Sequence, residues 1–428
     1  MAVNLEDPWF VAILGGLIAS LVGGAVFYYL TSVKVGHKNK RELSLRLNEA
    51  KQLGREGRFD DSLDICHQLL DKVNVAKTPE TYASIRNVEA AAYLGMALRD
   101  KKEEHVDKAT AAIQASLKML GQRRKSIEYS IAHKNLGDAL RLRSEVRNRE
   151  ENASKSIQAY LAALDGLDST KNRFEWAEAS VALGDAYRIL FEVDGNEGHL
   201  RRSISLLQAI VDSLDDREYS REIARAFINL GNAFGRLSQV RDRRTNSEAS
   251  IESYERALKM LSVEEDPYFF GLAYMNLGNA KLSLSEVIDQ NQNLKGAISS
   301  YDRALRIFDE EEYPILHGRL LNNLCFAYGK LAESENQAEN ALMAVSFGEH
   351  ALKTRNIRDY PLEYAKTQKN LGIALFHVAD ATHSIDSLLD SQKAFAEALQ
   401  IYDSHYYREY HDEVSLWMLR IEDEMRKK

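Results

Sequence analysis

The chain has 428 residues and a formal net charge of −8 with both signs interspersed, and no basic block points to a nucleic-acid partner. Its five prolines and two cysteines, Cys66 and Cys325, exclude frequent helix breaking and a disulfide framework. The abundance of Leu, Ala, Glu, Lys and Arg favours helix throughout.

The first elements in chain order are a short tail, residues 1–8, and an apolar segment, residues 9–33, without charge from Trp9 to Val33. About 20 apolar residues cross a hydrocarbon core, so a transmembrane helix is expected there. Trp9, Tyr28 and Tyr29 lie near its ends, where aromatic rings favour the interface. A cleaved signal peptide would want a basic start; this one is acidic, with Glu6 and Asp7. A basic linker, residues 34–41, follows with Lys34, Lys38, Lys40 and Arg41. The positive-inside rule then places the N-terminus outside and the rest in the cytoplasm, a single-pass membrane protein. Small residues at Gly16, Ser20, Gly23 and Gly24 would let another membrane helix approach closely, so the lipid bilayer and a transmembrane partner are both expected.

From Lys40 to Val73 the pattern predicts a helical hairpin broken at Gly57, and from Thr78 a longer second pair. Six regular units follow. Their shared phrase begins as HKNLGDALRL at 133–142 and recurs through QKNLGIALFH at 368–377, with leucines at Leu136, Leu183, Leu230, Leu277, Leu324 and Leu371. The spacing is 47 residues each time. Such a register means one supersecondary unit copied in series. Each first helix carries a Leu-Gly pair and an Ala two positions on, with Cys325 replacing one glycine. Each second helix carries columns of its own. Tyr160, Leu207, Tyr254, Tyr301 and Phe395 form one, with Gly348 as the exception. Polar turns separate the helices, and Pro267, Pro314 and Pro361 mark helix starts. After Asp403, residues 405–428 read as one more amphipathic helix, with Val414, Trp417, Met418 and Ile421 on one face.

These small, large and small columns resemble the tetratricopeptide repeat, and Ala50, Leu53, Gly57, Phe59, Ser62 and Leu70 match its ordinary unit. The departure is in length: 47 residues against the family's usual 34, read as longer helices and looser turns. The resemblance implies an all-α, right-handed α-solenoid of about eight hairpins over residues 42–404. A capping helix would close it at 405–428, and the transmembrane helix would precede it.

Asparagine precedes the leucine in five of the six units: Asn135, Asn229, Asn276, Asn323 and Asn370, with Ala182 the exception. Asparagine is a poor choice inside a helix. Two readings are open. In related arrays this position lines the concave groove and holds a peptide backbone, which an amide can do by donating and accepting at once. Alternatively, the ladder bonds successive units together. Two further columns share the helix face. One is Asp138, Asp185, Asn232 and Asn279, then Phe326 and Ile373; the other is Ile131, Glu178, Arg225, Leu272, Arg319 and Lys366. A groove lined by both would run from acidic to basic and apolar.

No phosphate loop, nucleophile elbow or paired-carboxylate site is present in the sequence, and the histidine pairs His377/His383 and His405/His411 lack metal-ligand spacing. No cofactor, metal or catalysis is expected. The expected function is an adaptor that binds a protein or peptide in its groove and recruits it to the membrane. The alternatives are a regulatory subunit of an effector enzyme, such as a protease, and a structural subunit of a membrane complex.

Overall fold

A computed structural model describes residues 37–427, apart from residues 101, 122, 124, 125, 216 and 217. Every regular element among the described residues is a helix, and there are 17. The segment 9–33, with Gly16, Ser20, Gly23 and Gly24, lies outside the described residues. No helix among the described residues is long and apolar enough to cross a membrane. The expected single-pass membrane placement is therefore corrected: the helices that are described are amphipathic or buried against one another, and none presents an apolar span.

The chain divides into two compact units. Unit 1 runs to Leu237 and includes Lys259–Leu261; unit 2 comprises Ser238–Leu258 and Ser262 onward. Unit 1 holds four hairpins: α1 (His37–Arg55) with α2 (Phe59–Lys72), α3 (Pro79–Asp100) with α4 (Glu103–Leu120), α5 (Ile127–Val146) with α6 (Arg149–Asp165), and α7 (Arg173–Asp194) with α8 (Glu197–Ser213). The next first helix, α9 (Ser220–Val240), follows. Unit 2 contains α10 (Arg243–Met260), then three hairpins: α11 (Pro267–Ser285) with α12 (Gln290–Leu305), α13 (Pro314–Ala332) with α14 (Gln337–Thr354), and α15 (Pro361–Thr382) with α16 (Ile385–Leu399). The terminal helix α17 (Arg408–Lys427) packs on α16 and α15. The described residues thus form an all-helical array of hairpins repeated in series.

The glycine column is set by helix approach. A Cβ at Gly137, Gly184, Gly278 or Gly372 would lie under 3.0 Å from Tyr160, Leu207, Tyr301 or Phe395 respectively, each on the second helix of the same hairpin. The large column and the glycine column are thus two sides of one contact, and a protein interior packed at crystal-like density leaves no room for more. The three register prolines open α11, α13 and α15 in the first turn, where their missing N–H is no loss.

The turns within the hairpins are tight rather than loose. Between first and second helix one residue is left-handed in each unit: Asn148, Gly195, Asp242, Asp289, Asn336 and His383, with φ between 44° and 68°. Small polar residues and glycine tolerate that conformation best. An asparagine four residues on then reaches back. The side-chain amides of Asn152, Asn246, Asn293 and Asn340 donate to the carbonyls of Arg147, Arg241, Ile288 and Glu335 at 2.6–2.8 Å. Each accepting carbonyl lies in the turn, one to three residues past the end of the first helix, so the bond ties the turn to the second helix. The connections from one hairpin to the next are longer, six to eight residues as at 166–172, 214–219 and 306–313, so the extra length of the unit is shared between the helices and these connections.

At the C-terminal end, Val414 and Ile421 are fully buried and Trp417 stacks on Phe395 at 6.1 Å. Tyr402 is buried too and stacks on Tyr410 at 5.0 Å. The aromatic cluster closes the end of the unit 2 core.

Candidate functional site

The asparagine ladder is mostly inside. Asn135, Asn229, Asn276 and Asn370 are each no more than 8% exposed. In unit 1, Asn135 Nδ2 donates to the Asn87 carbonyl at 3.1 Å and Asn229 Nδ2 to the Val181 carbonyl at 3.4 Å. Asn87 in turn donates to the Glu128 carbonyl at 2.9 Å. In unit 2, Asn370 Nδ2 donates to Asn322 Oδ1 and Asn323 Nδ2 to Asn279 Oδ1, both at 3.1 Å. Each bond joins successive first helices. In this structure the amides bridge units, and a buried amide left without a partner would carry a desolvation cost. Asn323 is half-buried and Asn279 exposed, so these two combine a bridge with access to solvent.

The flanking columns behave differently in the two units. In unit 1 they form a buried ionic relay. Glu178, from α7, lies 3.2 Å from Arg225 of α9 and 3.6 Å from Lys134 of α5. Lys134 also lies 3.4 Å from Asp138, whose other oxygen accepts from the Tyr160 hydroxyl at 2.7 Å. Asp185 holds Arg188 at 2.8 Å, and Arg188 reaches Glu192 at 2.5 Å. Glu192 also takes Arg236 at 2.6 Å, and Arg141 pairs with Glu145 at 3.1 Å. Asp138, Arg141, Asp185 and Arg188 are all at most 1% exposed. Burial pushes the Glu178 carboxyl up to about 7, against the opposing pull of Lys134 and Arg225 and with Glu222 adding to the rise. The acidic groove expected at this end is thus neutralised internally: its carboxylates are spent on cations from neighbouring helices. Asn232, on α9, is half-buried.

The cations of this relay, Lys134, Arg141 and Arg188, lie outside the columns singled out in the sequence. A signal was present. Glu178 and Arg225 share one column, as do Arg141 and Arg188, and as do Glu145 and Glu192.

In unit 2 the same columns are partly accessible, although Leu272 of α11 is fully buried. Arg319, Asn323 and Phe326 of α13 are half-exposed, and so are Lys366 and Ile373 of α15. At i, i+4 and i+7 they share one helix face. Lys369 sits beside them, paired with Glu413 at 2.9 Å. The face offers a guanidinium, an ammonium, two amides and two apolar side chains, which is chemistry for holding an acidic or polar chain with an apolar anchor. Cys325 lies under it, fully buried, and burial pushes its thiol up to about 12, so it stays protonated.

No family model matches the chain, and no curated protein does. Among solved structures, a Rap protein complexed with competence and sporulation factor is similar over 90% of this chain and 99% of its own, at 13% identity and a TM-score of 0.49. The apo form of RapI is similar over 90% and 98%, at 13% identity and a TM-score of 0.49. Aspartyl phosphate phosphatase F from Bacillus subtilis is similar over 90% and 94%, at 15% identity and a TM-score of 0.40. At such scores these likenesses carry neither partner nor activity over to this chain.

Proposed function

We propose that this chain is a non-catalytic adaptor that binds an extended segment of a protein partner along the open first-helix face of unit 2. The observation that supports the reading is the contrast within one repeat. Arg319, Asn323, Phe326, Lys366 and Ile373 are half-exposed, whereas Glu178, Arg225, Asn229, Asp138 and Asp185 in the same columns of unit 1 are buried. Arg319 and Lys366 would attract acidic side chains, and guanidinium forks suit carboxylates. Asn323 and Asn279 would bond the backbone of the segment, and Phe326 and Ile373 would take an apolar residue. Affinity would accumulate from many modest contacts, as in other extended repeat surfaces.

The test is selection of a displayed random-peptide library on the full chain. Enriched peptides should be rich in Asp and Glu around an apolar residue. Their affinity should fall by about tenfold or more in Arg319→Ala/Lys366→Ala, in line with charge-assisted contacts, while circular dichroism is unchanged. Failure to enrich any sequence, or enrichment insensitive to these replacements, would count against the reading.

A further inference from the structure

A second concave feature lies elsewhere in unit 2. A cleft of about 410 Å³ opens between α12 and α13, lined by Lys295, Ser299, Asp302, Arg303, Arg306 and Tyr328 over an apolar floor. It shares no residue with the peptide surface proposed above. Three cations stand in it against one lining carboxylate. Arg303 is held in place by a neutral partner: it donates to the Tyr274 hydroxyl at 2.7 Å and its guanidinium lies 5.2 Å over that ring. That contact orients the fork without cancelling its charge. Lys295 pairs at 2.7 Å with Glu335, beyond the cleft lining. Tyr328 is fixed by stacking on Phe347 at 5.6 Å.

The repeat supplies its own control. Positions equivalent to Arg303 and Arg306 are Ala162 and Asp165 in α6, Ala209 and Asp212 in α8, and Glu397 and Gln400 in α16. In α10 they are Arg256 and Lys259, and in α14 His350 and Lys353, basic pairs as well. The fold therefore accepts cations at this helix end but does not demand them. Cations in a last helical turn do complement the helix dipole, but that explains neither Lys295 three turns earlier nor the hydroxyls of Ser299 and Tyr328.

We propose that this cleft binds a dianionic phosphoryl group, held by Arg303 and Arg306 with Lys295, Ser299 and Tyr328 donating around it. With Glu335 on Lys295 and Asp302 in the lining, the cleft keeps a net positive charge carried by the two arginines, and arginine forks match phosphate oxygens in bidentate fashion. Asp302 is the gatekeeper. It lies one turn before Arg306, and burial holds its carboxyl above the ordinary range, so it gives up its charge more readily than an exposed aspartate. Burial, with Asp302 adding to it, likewise raises the Tyr328 hydroxyl, which stays protonated and able to donate.

The experiment is calorimetric titration of the full chain with inorganic phosphate and, in a second arm, with a phosphoserine peptide and its unphosphorylated twin. Saturable binding of phosphate is expected. Arg303→Ala/Arg306→Ala should weaken it by about tenfold or more, and Asp302→Asn should tighten it. The control Arg408→Ala/Arg426→Ala, which removes the same charge from α17, should leave it unchanged. Tighter binding of the phosphopeptide than of free phosphate would assign the site to a phosphorylated partner, and the reverse order to free phosphate. No saturable binding, equal loss in the α17 control, or weaker binding in Asp302→Asn would each overturn the proposal.

Discussion

Cys325 occupies the glycine position of α13, and Gly348 occupies the large position of α14. The two exceptions meet: a Cβ on Gly348 would lie 3.1 Å from Cys325 Sγ and 3.3 Å from Leu371 Cδ1. Volume has moved from one helix to the other while the contact persists. Gly348→Tyr alone should therefore overpack and destabilise by about 1–3 kcal/mol. Adding Cys325→Gly rebuilds the glycine–tyrosine pair seen at Gly278 and Tyr301 and should recover most of that loss. Urea unfolding of the four proteins measures the coupling, expected at about 1 kcal/mol or more; plain additivity would refute the exchange. Both departures are legible in the sequence as separate oddities. Their compensation is not, because it depends on which residues the hairpin brings face to face. The separation is that of Gly137 and Tyr160, so the register held the clue.

At the scale of elements, the turns were the least legible part. Polar composition is the same for a loose loop and for a tight left-handed turn, so RNREEN and DQNQN read as slack. What distinguishes them is position: Asn152, Asn246, Asn293 and Asn340 keep the repeat register, and each clamps the turn that precedes it. Asn293→Ala should cost about 1 kcal/mol, the usual net worth of such a bond, or somewhat more for the carbonyl left behind. At the neighbouring left-handed Asp289, with φ 47°, Asp289→Ala should be worse than Asp289→Gly by about 1 kcal/mol, because alanine has a Cβ and no polar group to offset it. Thermal melts of the three variants separate these effects. Equal melting of the Ala and Gly variants at 289 would show that the left-handed turn is not a constraint.

Across the whole chain, the 47-residue register shows which side chains share a column but not which columns are accessible. Burial of a helix face depends on the charges its neighbours bring. In unit 1 Arg225 and Lys134 answer Glu178, and Arg188 answers Asp185. In unit 2 the equivalent positions carry Leu272, Arg319 and Lys366, with Asn279, Phe326 and Ile373 beside them. Arg319, Lys366, Phe326 and Ile373 there stay half-exposed, so part of the face remains accessible. The candidate surface is thus a consequence of composition drift along an invariant backbone register.

That asymmetry has a titration signature of opposite sign in the two units. Glu178 rises from an ordinary 4.5 to about 7 because burial penalises its charged form. Burial raises Glu128 and Glu175 as well. The folded form of unit 1 therefore holds protons more tightly than the unfolded chain. The resulting stability is fully present below about pH 4.5 and is lost as pH rises through about 7, at roughly 1.4 kcal/mol for each tenfold gain in proton affinity on folding. In unit 2, burial lowers His377 below its ordinary 6.5. There the unfolded chain takes the proton first, so stability is present above pH 6.5 and is lost as pH falls below it. Hydrogen exchange, corrected for intrinsic rates, should show α7 losing protection between mildly acidic and mildly alkaline pH while α15 gains it. Glu178→Gln should flatten the α7 profile in part and leave α15 unchanged. A rise in α7 protection with pH, or an unaltered slope in the variant, would mean that Glu178 is not the group that titrates.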